Sequence, residues 1–515
     1  RSMNGLSSFY RLVGLFQEGE MVFRSAVNRV RVVMEANAQP EPSLTAVLGQ
    51  LYVKHAYFLN QLARYEQAQS VAQQGVALSQ EAGAAEGEAA GRLQWGWAVW
   101  RQGDYAAARS QFEHALALAQ RAQLPELEAG SLYRLGWIYN EQGDYARGKD
   151  RYEGALHLYC SVGKRLSEAN VLAGLGSITY KQGDYDEARC YHEAALHIYR
   201  EIGDRQGEGV TFISLGMVAR EQGDYAGAQE YYQGALVIAR ETGGLEYEAT
   251  VLNNLGNVAL QQGDYATAQD AFNKALQAFR EIGHRRGESY VLNNLGTALL
   301  MLGRCARAQD CYEDSLRLKR AAGDRWGECY TLAYLGLLYH HLEDDETARE
   351  HSQQALDIAR DLGARREQGL ALTHLGHALA GLGNLAQAAT AYQEAFTSCQ
   401  ELGHHNEATD PLAGLARLAL MQEAREGAQS HVEAILSHLA RNPNLEGATE
   451  PARVFLTCYR VLQANQDPRV GEILQTAYEL LQARAAKTQG EELRQTFLEN
   501  VKAHREIVAA WQAQI

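Results

Sequence analysis

The chain has 515 residues, a formal net charge of −15 at pH 7 and 46% hydrophobic residues. This acidity, with no run of Lys or Arg, excludes sequence-independent binding to a phosphate backbone, which needs clustered basic side chains. Seven cysteines (Cys160, Cys190, Cys305, Cys311, Cys329, Cys399, Cys458) include no C-x-x-C pair, which fits free thiols in a reducing compartment.

No apolar stretch approaches the roughly 18 to 20 residues that span a bilayer, and no signal peptide opens the chain. The expectation is a soluble, cytoplasmic protein with no nucleic acid and no membrane as partners. Arg1-Ser2-Met3 reads as a remnant of cloning, so the chain is expected to be a fragment of something longer. Residues 6–38 read as an irregular helical hairpin, a cap set off by the linker Gln39-Pro40-Glu41-Pro42-Ser43, which assigns 1–43 to the first segment.

From 44 to 441 one unit repeats. Leu-Gly recurs every 40 residues, at Leu135-Gly136, Leu175-Gly176, Leu215-Gly216, Leu255-Gly256, Leu295-Gly296, Leu335-Gly336 and Leu375-Gly376. Trp95-Gly96 and His55-Ala56 extend the grid backward and Leu415-Ala416 extends it forward, giving about ten units. Such a period marks a supersecondary unit that buries its apolar face against its neighbours in a continuous array.

Within a unit, Leu132, Leu135 and Tyr139 stripe one face of a helix A. Gln142-Gly143-Asp144-Tyr145 ends it, with Gly143 suited to a left-handed C-cap and Asp144 to an N-cap. Gly-Asp-Tyr appears five times, at 103–105, 143–145, 183–185, 223–225 and 263–265. Helix B follows with a small-aromatic-small stripe, as in Ala228, Tyr232, Ala235 or Ala388, Tyr392, Ala395. A glycine inside helix A costs about 1 kcal/mol relative to alanine, so its recurrence implies close approach of a neighbouring helix backbone. A second break recurs from Gly163 to Gly403, and beyond it Glu88, Glu128, Glu168, Glu208, Glu248, Glu288 and Glu328 stand in the first turn of the next helix A, where the dipole favours an anion.

After Asn442-Pro443-Asn444 the grid is lost. Three helices are expected near 450–465, 469–486 and 490–514, making 442–515 a C-terminal helical cap over the last apolar face.

The Leu-Gly, Ala-x-x-x-aromatic and later Ala pattern resembles the tetratricopeptide repeat, with six extra residues per unit and no proline near the end of helix B. The resemblance implies an all-α fold, a right-handed α-solenoid of tetratricopeptide-like helix-turn-helix repeats with helix A on the concave face. The tail, from Asp467-Pro468-Arg469 through Ala477-Tyr478-Glu479-Leu480-Leu481 and Phe497-Leu498-Glu499-Asn500-Val501 to His504-Arg505-Glu506-Ile507, is similar to the closing segment of bacterial signal-transduction ATPases with numerous domains (STAND). That resemblance implies a sensor region whose inducer relieves autoinhibition of an upstream nucleotide-binding domain in the parent protein.

The chain holds no G-x-x-x-x-G-K-[ST], H-E-x-x-H or G-x-S-x-G, so no enzyme activity and no cofactor are expected in it. Asp344-Asp345 sits at a repeat turn, where capping accounts for it. His340, His341, His374 and His377 gather near one groove, either as a polar wall or as ligands for zinc or nickel; the first reading is preferred and no metal is assigned.

With helix A inward, the candidate ligand-binding residues are Trp97, Trp100, Arg101, Tyr133, Trp137, Asn140 and Tyr180 in the early units. Arg220, Asn253, Asn254, Asn257, Asn293 and Asn294 follow in the middle, and Tyr330, Tyr334, His340 and His377 in the later ones. Asparagines suit an extended peptide backbone, aromatics supply anchors, and Arg101, Lys181 and Arg220 offer counter-charges for a carboxylate or phosphate. The favoured function is a non-catalytic sensor that binds a protein, peptide or small-molecule inducer in the concave groove. The alternative is a free-standing scaffold that captures peptide segments.

Overall fold

The glycine of each Leu-Gly pair meets a ring. In the computed structural model, which describes residues 2–12, 14–36, 41–488 and 490–514, a Cβ added to Gly136 would fall 2.7 Å from Tyr152, one on Gly256 2.5 Å from Phe272 and one on Gly376 2.6 Å from Tyr392. In place of the expected backbone contact, the neighbour is the aromatic of the helix B stripe, buried on bare helix A backbone. His192 fills that slot against Gly176, and Ser352 against Gly336.

All regular structure among the described residues is helical. Residues 42–439 form ten helix pairs, typified by Pro125–Glu141 followed by Tyr145–Ser161, of 17 residues each. The turn between them works as its residues dictate. Gly143 has φ +76°, the left-handed conformation that glycine adopts without steric cost, and Asp144 accepts the backbone N–H of Arg147 at 3.2 Å. Asp104, Asp224 and Asp264 cap in the same way, while Asp184 makes no such bond. Asp344 caps the helix Asp345–Asp361 through Thr347.

The recurring glutamates do more than sit at a dipole. Four of them reach back eight residues to an arginine across the junction between repeats: Arg200 to Glu208 at 2.9 Å, Arg240 to Glu248 at 2.8 Å, Arg280 to Glu288 at 2.7 Å and Arg320 to Glu328 at 2.8 Å. These pairs staple the end of one helix B to the start of the next helix A.

The chain forms two compact units, residues 1–218 and 219–515. This division does not fall at 43 or 442, because the C-terminal helices share a core with the later repeats. Gln39 and Pro40 of the expected linker lie outside the described residues.

In residues 219–515 the tail runs back over earlier repeats. It contains four helices, Pro451–Ala464, Val470–Lys487, Glu491–Asn500 and Lys502–Gln512, since extended backbone at Val501 (ψ 116°) breaks the expected third one. The Gly447 N–H donates to Gln261 O at 3.1 Å, Asn500 Nδ2 to Gly303 O at 3.3 Å and Lys502 Nζ to Glu343 at 3.0 Å. Phe497 lies 6.2 Å from the ring of Tyr265. Phe455, Leu481, Phe497 and Ile507 join one core with Leu300, Ala333, Tyr334 and Leu337 from the helices A. The tail thus fills the inner side of these repeats, where only a cover for the last one was expected.

Candidate functional site

Residues 1–218 bring the early candidate residues together. On helix Ala85–Arg101, Trp97 and Trp100 stand at a three-residue step and so share a face; Tyr133, Trp137 and Asn140 do the same on helix Pro125–Glu141. The rings of Trp97 and Trp100 are 4.9 Å apart, Trp97 and Trp137 5.1 Å, and Trp100 and Trp137 4.4 Å. All three indoles remain partly exposed. Pairs of this kind contribute about 0.5–1.5 kcal/mol beyond their buried area, so the three rings support one another.

Two guanidinium groups bracket it. Arg101 lies 5.5 Å from Trp100 and 5.2 Å from Tyr65, whose hydroxyl accepts from its Nε at 2.9 Å. Arg134, which sequence reasoning did not single out, stands 4.9 Å from Trp97 and 5.8 Å from Phe112. Burial lowers the Arg134 pKa, and the charges acting on it come from Tyr159, Tyr133 and Tyr57, with no carboxylate among them. Burial also raises the pKa of Tyr133. The indole N–H of Trp100 is shielded and has no acceptor among the described residues.

The remaining early candidates, Asn140 and Tyr180, have partners within the protein. Asn140 is buried and accepts from Lys181 Nζ at 3.1 Å, and Lys181 also lies 3.7 Å from Glu141. Tyr180 packs 5.7 Å from Tyr185.

In residues 219–515 much of the inner face in the later repeats is occupied by the protein itself. Arg220, expected as a counter-charge for a ligand, pairs with Glu221 at 2.6 Å. Glu221 is in turn 3.6 Å from Arg366, which binds Glu407 at 2.5 Å. Asn294 donates to Asn253 at 3.0 Å, so these amides bond one another across successive helices. Asn254 and Asn257 stay partly exposed, whereas Asn293 is 1% exposed with neither amide atom paired in the protein. The Tyr330 hydroxyl lies 3.5 Å from that of Tyr334, and Tyr334 is buried.

The histidines meet the tail. Arg453 donates to His340 Nε2 at 2.8 Å, His340 Nδ1 donates to Asp345 at 2.5 Å and His341 Nε2 donates to Glu450 at 2.8 Å. His374 Nδ1 donates to Ala333 O at 2.8 Å, and His377 shares a 2.6 Å hydrogen bond with the Tyr392 hydroxyl. Burial lowers the pKa of His340 and of His374 to about 4, and that of His377 well below its ordinary value. His377 and Tyr334 are therefore buried and His340 is partly buried, all three bonded within the protein where an open groove wall was expected. Among the described residues no group of three or more His, Cys, Asp or Glu is placed to hold a metal ion.

A line of side chains from successive helices, on a backbone of repeated helix pairs, defines a helical-repeat scaffold. Profiles described as tetratricopeptide repeat match residues 127–201, 208–281, 247–321 and 287–361, a second such profile 93–148 and a third 370–408. Together they cover more than half of the chain, which belongs to the tetratricopeptide repeat family. No curated protein matches it. Among solved structures, a Rap protein complexed with competence and sporulation factor is 16% identical, with 71% of this chain and 99% of that one covered at a TM-score of 0.52. The apo form of the quorum sensor NprR from B. thuringiensis is 13% identical, with coverage of 67% and 97% and a TM-score of 0.52. A STAND protein with a tetratricopeptide repeat sensor from Pyrococcus horikoshii is 15% identical, with 66% of this chain and 52% of that one covered and a TM-score of 0.48. These likenesses are of fold. No helix among the described residues is long and apolar enough to cross a membrane.

Proposed function

We propose that this chain is a non-catalytic sensor domain that binds a protein or peptide segment on the helix A face of residues 1–218, and that binding there biases a switch elsewhere in a parent protein of STAND type. One contrast carries the reading. The repeat slot that is buried at Thr297, Leu337 and His377 in the later repeats holds the partly exposed Trp97 and Trp137 in residues 1–218, with the partly exposed Trp100 beside them. Clustered, partly exposed aromatic rings are the usual anchors of recognition. The fold has a precedent in the Rap protein, which is complexed with competence and sporulation factor. Free cysteines, three of them buried, fit a cytoplasmic setting.

A conformational bias of this sort requires differential affinity, roughly 5.5 kcal/mol to carry a population from 1:99 to 99:1. The test is partner recovery from a host lysate by the wild-type chain, by Trp97→Ala/Trp100→Ala and by Asn257→Ala as a control in the later repeats. The reading expects loss with the tryptophan variant and full recovery with the control. Equal recovery by all three contradicts it.

A further inference from the structure

We infer that the occupant of the tryptophan face is an acidic peptide segment, with carboxylates received by Arg134 and Arg101 and apolar side chains laid on the indoles between them. This deepens the reading above and rests on it.

Charge complementarity favours an acidic occupant. Basic side chains in residues 1–218 commonly find an acid: Arg92 with Glu88, Arg147 with Asp144, Lys149 with Glu187, Lys164 with Glu126 and Arg165 with Glu168. Arg134 and Arg101 face rings and a phenol, and no carboxylate among the described residues lies within ion-pair distance of either. In a chain of net charge −15 these are two cations without an acidic partner. Arg134, set among aromatics without a counter-ion, carries a desolvation cost that a bound carboxylate offsets, while Arg101 is exposed and open to a charge-assisted hydrogen bond. Beside the indoles stand three donors without an anionic partner, the two guanidinium groups and the Trp100 N–H. A ligand complementary to them is acceptor-rich and anionic.

The spacing favours an extended segment. Arg101 lies at the end of helix Ala85–Arg101 and Arg134 within helix Pro125–Glu141, with Tyr180 on helix Arg165–Gln182. Packed helices are about 8–10 Å apart, so three of them present a row on the order of 20 Å long. An extended chain rising about 3.3 Å per residue spans that row with about six residues.

The experiment follows tryptophan fluorescence of the full chain during titration with three octapeptide pools. Each alternates Leu or Phe with a variable position: Asp or Glu in the first pool, Asn or Gln in the second, Lys in the third. The acidic pool is expected to bind about tenfold more tightly than the amide pool, the scale of a charge-assisted hydrogen bond, and the Lys pool most weakly. Arg134→Gln and the more exposed Arg101→Gln should each shrink the acid preference, and Arg134→Lys should keep part of it. Equal affinity for the acidic and amide pools overturns the inference while leaving the face as a binding site. Absence of acidic-pool binding, or binding untouched by Arg134→Gln and Arg101→Gln together, also overturns it. Acidic-pool binding unchanged in Trp97→Ala/Trp100→Ala overturns the underlying reading instead.

Discussion

Arg453 donates a hydrogen bond of 2.8 Å to His340, 113 residues earlier in the chain. The bond fixes the tautomer, because an Nε2 that accepts leaves Nδ1 as the donor to Asp345. Glu450 completes the cluster, 2.9 Å from Arg453 and 2.8 Å from His341. This buried polar network holds the tail in the later repeats.

Breaking one side of the network should be costly. Arg453→Met leaves Glu450 buried with a weakened set of partners, and the expected loss is about 3–5 kcal/mol. The double variant Arg453→Met/Glu450→Gln should regain part of it. Denaturant titration measures both, and a single-variant loss below about 0.5 kcal/mol, the scale of an exposed pair, contradicts the role given to the network.

The same histidines make stability depend on acid. His340 and His374 hold pKa values of about 4, against 6.5 when unfolded. The unfolded chain then binds more protons between these values, so this stabilisation is complete above pH 6.5 and is lost as pH falls towards 4, by roughly 3 kcal/mol per ring at the limit. Asp410 acts in the opposite sense, since burial raises its pKa from 3.8 to about 7. Its contribution is full at low pH and fades as pH rises through that interval. Asp410→Asn should therefore steepen the acid loss measured by denaturant melts at pH 7, 6 and 5, and a flat profile in that variant contradicts the assignment.

Lys319 offers a test on the alkaline side. It is fully buried, donates to Thr331 at 2.8 Å, lies 4.9 Å above the Tyr290 ring, and burial brings its pKa to about 7. The unfolded chain, with the lysine at 10.5, holds the extra proton above pH 7, so stability should rise from pH 7 to pH 9. Lys319→Met should flatten that rise and be more stable at pH 7 by a few kcal/mol, in line with replacing an unpaired buried charge by an apolar group. A wild-type melting temperature that falls over this range rules the account out.

The Leu-Gly contact predicts a position-dependent response to alanine. Gly136→Ala should destabilise by about 1–3 kcal/mol, the usual cost of overpacking, despite alanine's better helix propensity, because its Cβ would lie 2.7 Å from Tyr152. Gly130→Ala on the same helix would meet nothing nearer than 3.4 Å, and propensity should make it neutral or stabilising. Thermal melts of the two variants decide; equal effects contradict the ring-on-backbone explanation.

What the sequence disclosed and what it hid have a physical division. Contacts within one repeat recur every 40 residues, so the helix pairs, the Gly143 turn and the Asp144 cap were all readable from spacing. The return of the tail was not, since a bond such as Asn500 to Gly303, 197 residues apart, occurs once and leaves no periodic trace. For that reason His340, His377 and Arg220 looked like groove walls, although their partners are Arg453, Tyr392 and Glu221. The Glu208-type staples carried a signal that passed unread: Arg200, Arg240, Arg280 and Arg320 are themselves 40 apart. Arg134 was overlooked because its repeat position holds Asn254 and Asn294 elsewhere, where the amide pattern drew attention instead.

The most direct test of the account is amide hydrogen exchange on the full chain, free and saturated with a captured partner or the acidic peptide pool. Added protection should concentrate in helices Ala85–Arg101 and Pro125–Glu141, while helices Arg325–His341 and Arg365–Gly381 stay slow in both states. Protection that appears on the latter two helices, with none around Trp97, Trp100 and Trp137, would place recognition on the wrong half of the chain for this account.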